Sequence, residues 1–494
     1  MNSPSVLLIN PPRINGFSWT REGRCQEKED ILGTVKPPLS LALIASLLRN
    51  NKIHFKLLDA TALNLNSDKI YTCLVVSNFH PDIIIYCTTT ATIFADTASL
   101  SNIKKRFNAK LIAFGAHVSG TPIETLEKIP DIDIGIIGEP EDTILDLLND
   151  DNLENLNKVD GIVWRNGKEI KTTKNRSWIE DLDRLPQPAW DLFPLEKYVL
   201  PFVNEKYLIV ETSRGCPFDC DFCVASLNHG VRFREKRPET VVDEIEDLIK
   251  KFNVKNFNLF GDTVTLNKKF VKKFCDELIK RNLNIRWLTN TRADTIYDID
   301  LVKKMKKSGC WMLSIGIESY NEKTRNNMQK KLETDKITQA IKMLREIGII
   351  SFGFFIYGYP GETEKDMYET TQFALSLPLD YANFYPAVPY PGTTFYEKSL
   401  HDGLLCDNSW NKMEYSSYII RTNELNEAVV KKSISHAYLR FYLRPQFIFQ
   451  HIKNIGFVNF LIGFIKYGLK FFGKNLKNIV PKMSLNTLRS GIFA

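Results

Sequence analysis

The sequence lacks the marks of secreted and membrane-spanning chains. MNSPSVLLINPPR opens on a short apolar run with no basic stretch before it and no small-residue cleavage site, so it reads as a buried strand and not a signal peptide. Nine cysteines in 494 residues are too few for a disulfide scaffold, and an odd number cannot pair completely. Cys25, Cys73, Cys87, Cys275, Cys310 and Cys406 are scattered, as buried small apolar residues are, and a reducing cytoplasm is expected. No internal repeat occurs. From Val429 to Ala494 there is no Asp or Glu, but there are eleven Lys and Arg. Without that stretch 54 basic residues stand against 58 acidic ones, so the net charge of +7 hides a mildly acidic body and a strongly basic tail.

What is present is ordinary folded protein, 44% hydrophobic and 25% charged, and long enough for two or three domains. SVLLIN, HFKLLDA, DIIIYCT, KLIAFGA and DIGIIG are short, apolar and rich in β-branched residues, and helical spacing fills the gaps between them. This alternation predicts an α/β fold with a doubly wound parallel sheet over residues 1–150, whose ligands sit at the carboxyl ends of the strands. GIVWRNGKEIK reads as a hairpin turning at Asn166-Gly167, and a proline-bearing linker completes residues 151–204. A second alternation over 205–400 has six β/α units, the mark of a partial (β/α)6, TIM-like barrel with its chemistry at the carboxyl strand ends. Residues 401–494 are expected to be helical and basic.

SRGCPFDCDFCVA carries the chemistry. Cys216, Cys220 and Cys223 follow a predicted strand, and three thiolates on one short loop can ligate three irons of a [4Fe–4S] cluster and leave the fourth open. Zinc would want a fourth ligand, for which His229 is near enough. The cysteine spacing, the intervening Phe222 and the preceding strand argue for the cluster. Asp262 has the alternative of capping a helix starting near Asn267. Glu318, on an apolar run, needs a buried partner. No side chain stands out as a general base.

Residues 205–400 resemble the radical S-adenosylmethionine (SAM) enzymes. In that family the open iron chelates the amino and carboxylate groups of SAM, and one electron releases methionine and a 5′-deoxyadenosyl radical. The resemblance implies that Phe222, Gly261, Asp262, Asn290, Arg292, Glu318 and Gly358 contact SAM, and that a donor such as flavodoxin or ferredoxin supplies the electron. At 260–263 the family often has two glycines and a Glu where this chain has Gly-Asp. LINPPR, GAHVSG and GEPEDT, at three strand ends of the first domain, resemble the cobalamin-binding members. That likeness implies a corrin lined by Thr88, Thr89, Gly115, Ser119, Gly138 and Glu139. The Asp-x-His-x-x-Gly motif that supplies a histidine to cobalt is absent, and His117 is expected to be a hydrogen-bonded loop residue.

The activity implied is a cobalamin-dependent radical methyltransferase acting on an unactivated carbon. An oxidative cyclase of the magnesium-protoporphyrin monomethyl ester type, and a non-catalytic iron–sulfur or cobalamin-binding regulator, are the alternatives. The substrate expected is a small or lipid-like molecule, with no nucleic acid. In the tail, Phe, Leu and Ile alternate with Lys453, Lys466 and Lys470 in runs too short to span a bilayer. That pattern suits a helix lying on an anionic membrane or one packed on the barrel. If the first holds, deleting residues 447–494 moves the protein from the membrane pellet to the supernatant in a sedimentation assay; unchanged partitioning favours the second.

Overall fold

The computed structural model describes residues 4–22, 28, 35–149, 153–200, 205–455 and 475. The first sheet contains β1 (Val6–Asn10), β2 (Phe55–Asp59), β3 (Ile83–Cys87), β4 (Lys110–Phe114), β5 (Ile134–Ile136), β6 (Ile162–Asn166) and β7 (Glu169–Thr172), in the order β2-β1-β3-β4-β5-β6-β7. β1 to β5 pair in parallel. β1 and β3 are buried at every residue, as strands covered by helices on both faces must be. The strand order reverses between β1 and β3, and a crevice opens at such a point at the carboxyl edge. The hairpin turns at Asn166-Gly167 as read, but it does not stand apart in a linker. β6 pairs antiparallel with β5, Ile134 opposite Trp164, so the sheet runs past residue 150 and the edge of short β5 is covered.

The second sheet is the six-unit array. β8 (Tyr207–Glu211), β11 (Asn256–Phe260), β12 (Arg286–Thr291), β13 (Cys310–Glu318), β14 (Ile350–Tyr357) and β15 (Tyr381–Pro386) lie in the order β15-β14-β13-β12-β11-β8, every neighbouring pair parallel. A two-stranded antiparallel pair, β9 (Ser213–Arg214) with β10 (Arg234–Glu235), flanks the loop after β8. Helices follow the strands on one face. There Phe355, Tyr357, Ala382 and Phe384 are buried, whereas Phe352, Phe354, Ile356, Tyr381, Asn383 and Tyr385 alternate onto the opposite, partly open face.

Beyond residue 400 the helical region begins with an irregular segment. Between Asp402 and Asn426 the sole helical element is the 3-10 turn Trp410–Lys412, and Leu405 pairs with Ile420 in an isolated bridge. Gly403, Asp407, Asn408 and Ser409 favour turns, and buried Trp410, Met413, Tyr418, Ile419 and Ile420 lack helical spacing. The segment crosses to the first domain, where Trp410 stacks on Phe94 with centroids 5.5 Å apart. Helices Glu427–Tyr442 and Pro445–Ile455 follow. The rest of the basic tail, with Lys466 and Lys470, lies outside the described residues, as does Cys25. No described helix is long and apolar enough to cross a membrane.

Gly115, at the end of β4, has φ +126°, and a Cβ on it would lie 2.4 Å from the Thr88 carbonyl oxygen. Gly115→Ala is expected to cost about 1–3 kcal/mol, as a residue forced into sparsely populated backbone space does. A thermal melt checks this: the midpoint should fall by several degrees.

Candidate active site

The loop after β8 is held from both ends. Gly215 adopts φ +81°, and a Cβ there would lie 2.0 Å from the Arg232 carbonyl oxygen, so glycine must precede Cys216. Gly215 N donates to Asp262 Oδ2 at 2.8 Å, and His229 Nδ1 lies 3.1 Å from the same oxygen. The helix Lys268–Lys280 is capped by Asn267 instead, so Asp262 is a brace of the cysteine loop and not a helix cap. Cys216 Sγ lies 3.6 Å from Thr263 Oγ1. Between the last two cysteines, Asp221 is fully enclosed. Its Oδ2 accepts from Tyr359 Oη at 2.6 Å and lies 3.4 Å from Lys398 Nζ, while its carbonyl accepts from Phe395 N at 2.9 Å.

Cations gather beside Cys220. Arg292 Nη1 is 3.9 Å from Cys220 Sγ, with the guanidinium centre 3.7 Å above the Phe218 ring. Its other nitrogens hold Asp294 at 2.9 Å and the Lys330 carbonyl at 3.0 Å. Glu318 closes β13 at a bulge, with φ +66°, and its buried carboxylate meets Lys330 Nζ at 2.8 Å. Burial pushes the Cys220 thiol up; Lys330 and Arg292 oppose that shift. Phe222 packs partly buried against the core. Gly261 follows β11 beside Ser213, and Asn290 stands exposed on the open face, level with Ser314. Gly358 N donates to Glu362 Oε2 at 2.9 Å, while its carbonyl accepts from Tyr418 Oη at 2.9 Å.

Cys216, Cys220 and Cys223 are partly exposed. Among the described residues no three His, Cys, Asp or Glu side chains converge on a point that would hold a single ion. His229 Nδ1 is engaged by Asp262, and among the described residues the imidazole does not converge with the thiols on one point, as a tetrahedral zinc site requires. Three separate thiols on one loop fit a cluster in which each takes a different iron.

In the first domain the loops after β3, β4 and β5 adjoin: Gly115 lies against Thr88, and Gly138 N donates to Ser119 Oγ at 3.0 Å. Thr88 and Thr89 are buried; Thr88 Oγ1 donates to Asp96 at 3.0 Å, and Thr89 Oγ1 lies 3.0 Å from Thr92 Oγ1. These loops present small, uncharged groups, which fits a large flat ligand approached by backbone. His117 is hydrogen-bonded as expected but sits on the short helix Ala116–Gly120 and not in a loop, its Nδ1 3.2 Å from Thr90 Oγ1 and its ring edge-on to Trp410 at 4.2 Å. Burial lowers its pKa to about 3, so the imidazole stays neutral.

Glu139 turns away from those loops. Its carboxylate meets Arg234 at 3.0 Å and Arg214 at 3.3 Å. Arg214 also holds Glu141 at 2.6 Å and Glu211 at 2.8 Å, and Lys236 lies 3.5 Å from Glu244. All seven side chains are at most 3% exposed, so the two domains share a buried ionic junction that ends two residues before Cys216.

Residues 210–374 match the family model of the radical SAM superfamily. An uncharacterized methyltransferase of Pyrococcus horikoshii is 32% identical over 464 residues, 93% of this chain and 97% of that one. The chain belongs to the radical SAM superfamily. The anaerobic magnesium-protoporphyrin IX monomethyl ester cyclase of Cereibacter sphaeroides is 27% identical over 450 residues, 89% of this chain and 72% of that protein. In fold, this radical SAM chain is similar to OxsB, a cobalamin-dependent SAM radical enzyme solved with aqua-cobalamin and SAM bound. The TM-score is 0.73 at 16% identity, over 96% of this chain and 71% of that one.

Reading the sequence missed Asp221, Lys330 and Arg214. Asp221 sits inside the cysteine motif and could have been singled out by position; Lys330 lies twelve residues from Glu318 with no motif to link them. Lys330→Met should cost about 3–5 kcal/mol by leaving a buried carboxylate alone. Adding Glu318→Gln should recover much of that loss, and a double-mutant cycle on urea unfolding reads the coupling.

Proposed function

We propose that this radical SAM enzyme is a cobalamin-dependent methyltransferase acting on an unactivated carbon. Cys216, Cys220 and Cys223 would hold a [4Fe–4S] cluster, and the loops after Thr88, Gly115 and Gly138 would carry cobalamin. When bound, these groups and SAM supply one-electron cleavage of a carbon–sulfur bond, hydrogen-atom abstraction and a transferable methyl group. The observation that carries the reading is the joining of the two strand-end sites through the Arg214 junction, on a chain that matches a methyltransferase nearly end to end.

The chain's own residues position and shield. Asp262 and Gly215 fix where the first thiol emerges from β8. Asp221, through Tyr359, ties the second and third thiols to the loop after β14. Arg292 and Lys330 set cations beside Cys220, while Glu318 sets an anion two strands from Asp262. A zwitterionic amino-acid group is complementary to that pairing of charges. Asn290, open at the end of β12, is available to a ribose hydroxyl. With Glu139 engaged by Arg214 and Arg234, contact with cobalamin after β5 falls to backbone.

A second reading, oxidation or ring closure with the same groups, is favoured by the similarity to the magnesium-protoporphyrin cyclase over 89% of the chain. Anaerobically purified protein should contain about four irons and about one cobalt per chain. Methyl-labelled SAM then decides the outcome: label in the acceptor supports methylation, and label confined to methionine supports the cyclase.

A further inference from the structure

The open face of the second sheet is most aromatic at one side. From β11 to β13 it is mixed, presenting Asn258, Asn290 and Ser314 among Phe260, Leu288 and Met312. On β14 and β15 it presents rings. Phe352 lies beside Phe354 with centroids 5.0 Å apart, Phe352 beside Tyr381 at 6.0 Å, and Phe354 beside Tyr385 at 6.1 Å. Tyr415, from the segment that crosses to the first domain, meets Tyr385 edge-on at 5.4 Å. Packing does not demand these rings: the helix-covered faces of the same strands bury Phe355, Tyr357 and Phe384 almost completely, while the open-face rings keep part of their surface accessible.

The wall adjoins the candidate active site. In register, Gly316 of β13 stands beside Phe354, and Phe354 beside Asn383. Gly316 is also the residue over which the Glu318–Lys330 pair folds. No open-face residue of β14 or β15 is charged; the polar groups are Asn383, whose Nδ2 donates to Tyr385 Oη at 2.6 Å, and the tyrosine hydroxyls. A carboxylate or phosphate laid on this wall would lose water, and the cation beside it, Lys330, is already paired with Glu318, so the transfer is a net cost. A flat ring system would stack on it and keep neutral hydrogen bonds at the rim.

Building on the methyltransferase reading, we propose that the open face of β14 and β15 seats the acceptor, and that the acceptor is a flat, uncharged, largely aromatic molecule at the end that enters the barrel. The test uses the full-length holoenzyme and two fluorescent probes of similar size, neutral 1-aminoanthracene and anionic 8-anilinonaphthalene-1-sulfonate. Variants Phe354→Ala and the gentler Phe354→Leu are used, each checked for wild-type iron content and far-UV circular dichroism. Loss of one stacking ring should weaken 1-aminoanthracene about threefold to tenfold in both variants. The Phe354-dependent binding should favour the neutral probe over the sulfonate by at least about tenfold. Unaltered 1-aminoanthracene affinity in the folded variants, or equal Phe354-dependent binding of the sulfonate, overturns the proposal. Formation of 5′-deoxyadenosine from SAM by the wild-type enzyme is measured alongside. Its absence with probe binding intact would defeat the radical reading and not the wall, and the reverse pattern would defeat the wall alone.

Discussion

Arg214 is the constraint on which the arrangement depends. A guanidinium that is 3% exposed must be surrounded by acceptors, and it takes them from both domains: Glu139 and Glu141 from the start of the helix after β5, Glu211 from the end of β8. Because Arg214 is followed by Gly215 and Cys216, the same contacts that join the domains fix where the first thiol emerges. Removing Arg214 would leave Glu139, Glu141 and Glu211 short of a cation in a region closed to water. The junction thus couples the geometry of the cysteine loop to the position of the strand-end loops of the first sheet.

Around that junction the site is built from groups that hold other groups. Asp262 holds the Gly215 amide, Asp221 holds Tyr359, and Glu318 holds Lys330. None is arranged as a proton donor or acceptor toward an open position, which suits chemistry carried by bound cofactors while the protein orients and excludes water. Two residues with positive φ lie in the same place: Glu318 is in the left-handed region at a bulge, and Gly215 occupies a conformation closed to other residues.

Much of the architecture was legible because hydrophobic periodicity is local. The runs at 5–10, 82–88 and 110–116 are apolar on both faces, and strands in a sheet covered twice must be so. The six later strands fell where β/α spacing put them. Misjudgements came where long-range pairing decided the matter. Nothing in GIVWRNGKEIK says that it will pair with β5, and nothing in residues 402–426 says that Trp410 will be taken up by Phe94 and His117.

The sequence by itself determined the chemistry on offer: three cysteines at fixed spacing after a strand, on a chain whose repeating β/α pattern predicts a partial barrel. Those facts are local, set by bond geometry and by the period of side chains along the backbone. The tertiary structure alone decided who partners whom. That Glu318 pairs with Lys330, Asp221 with Tyr359 and Glu139 with Arg214 depends on burial. Each buried charge or polar group must find a complement among residues that the fold, and not the chain order, brings within reach.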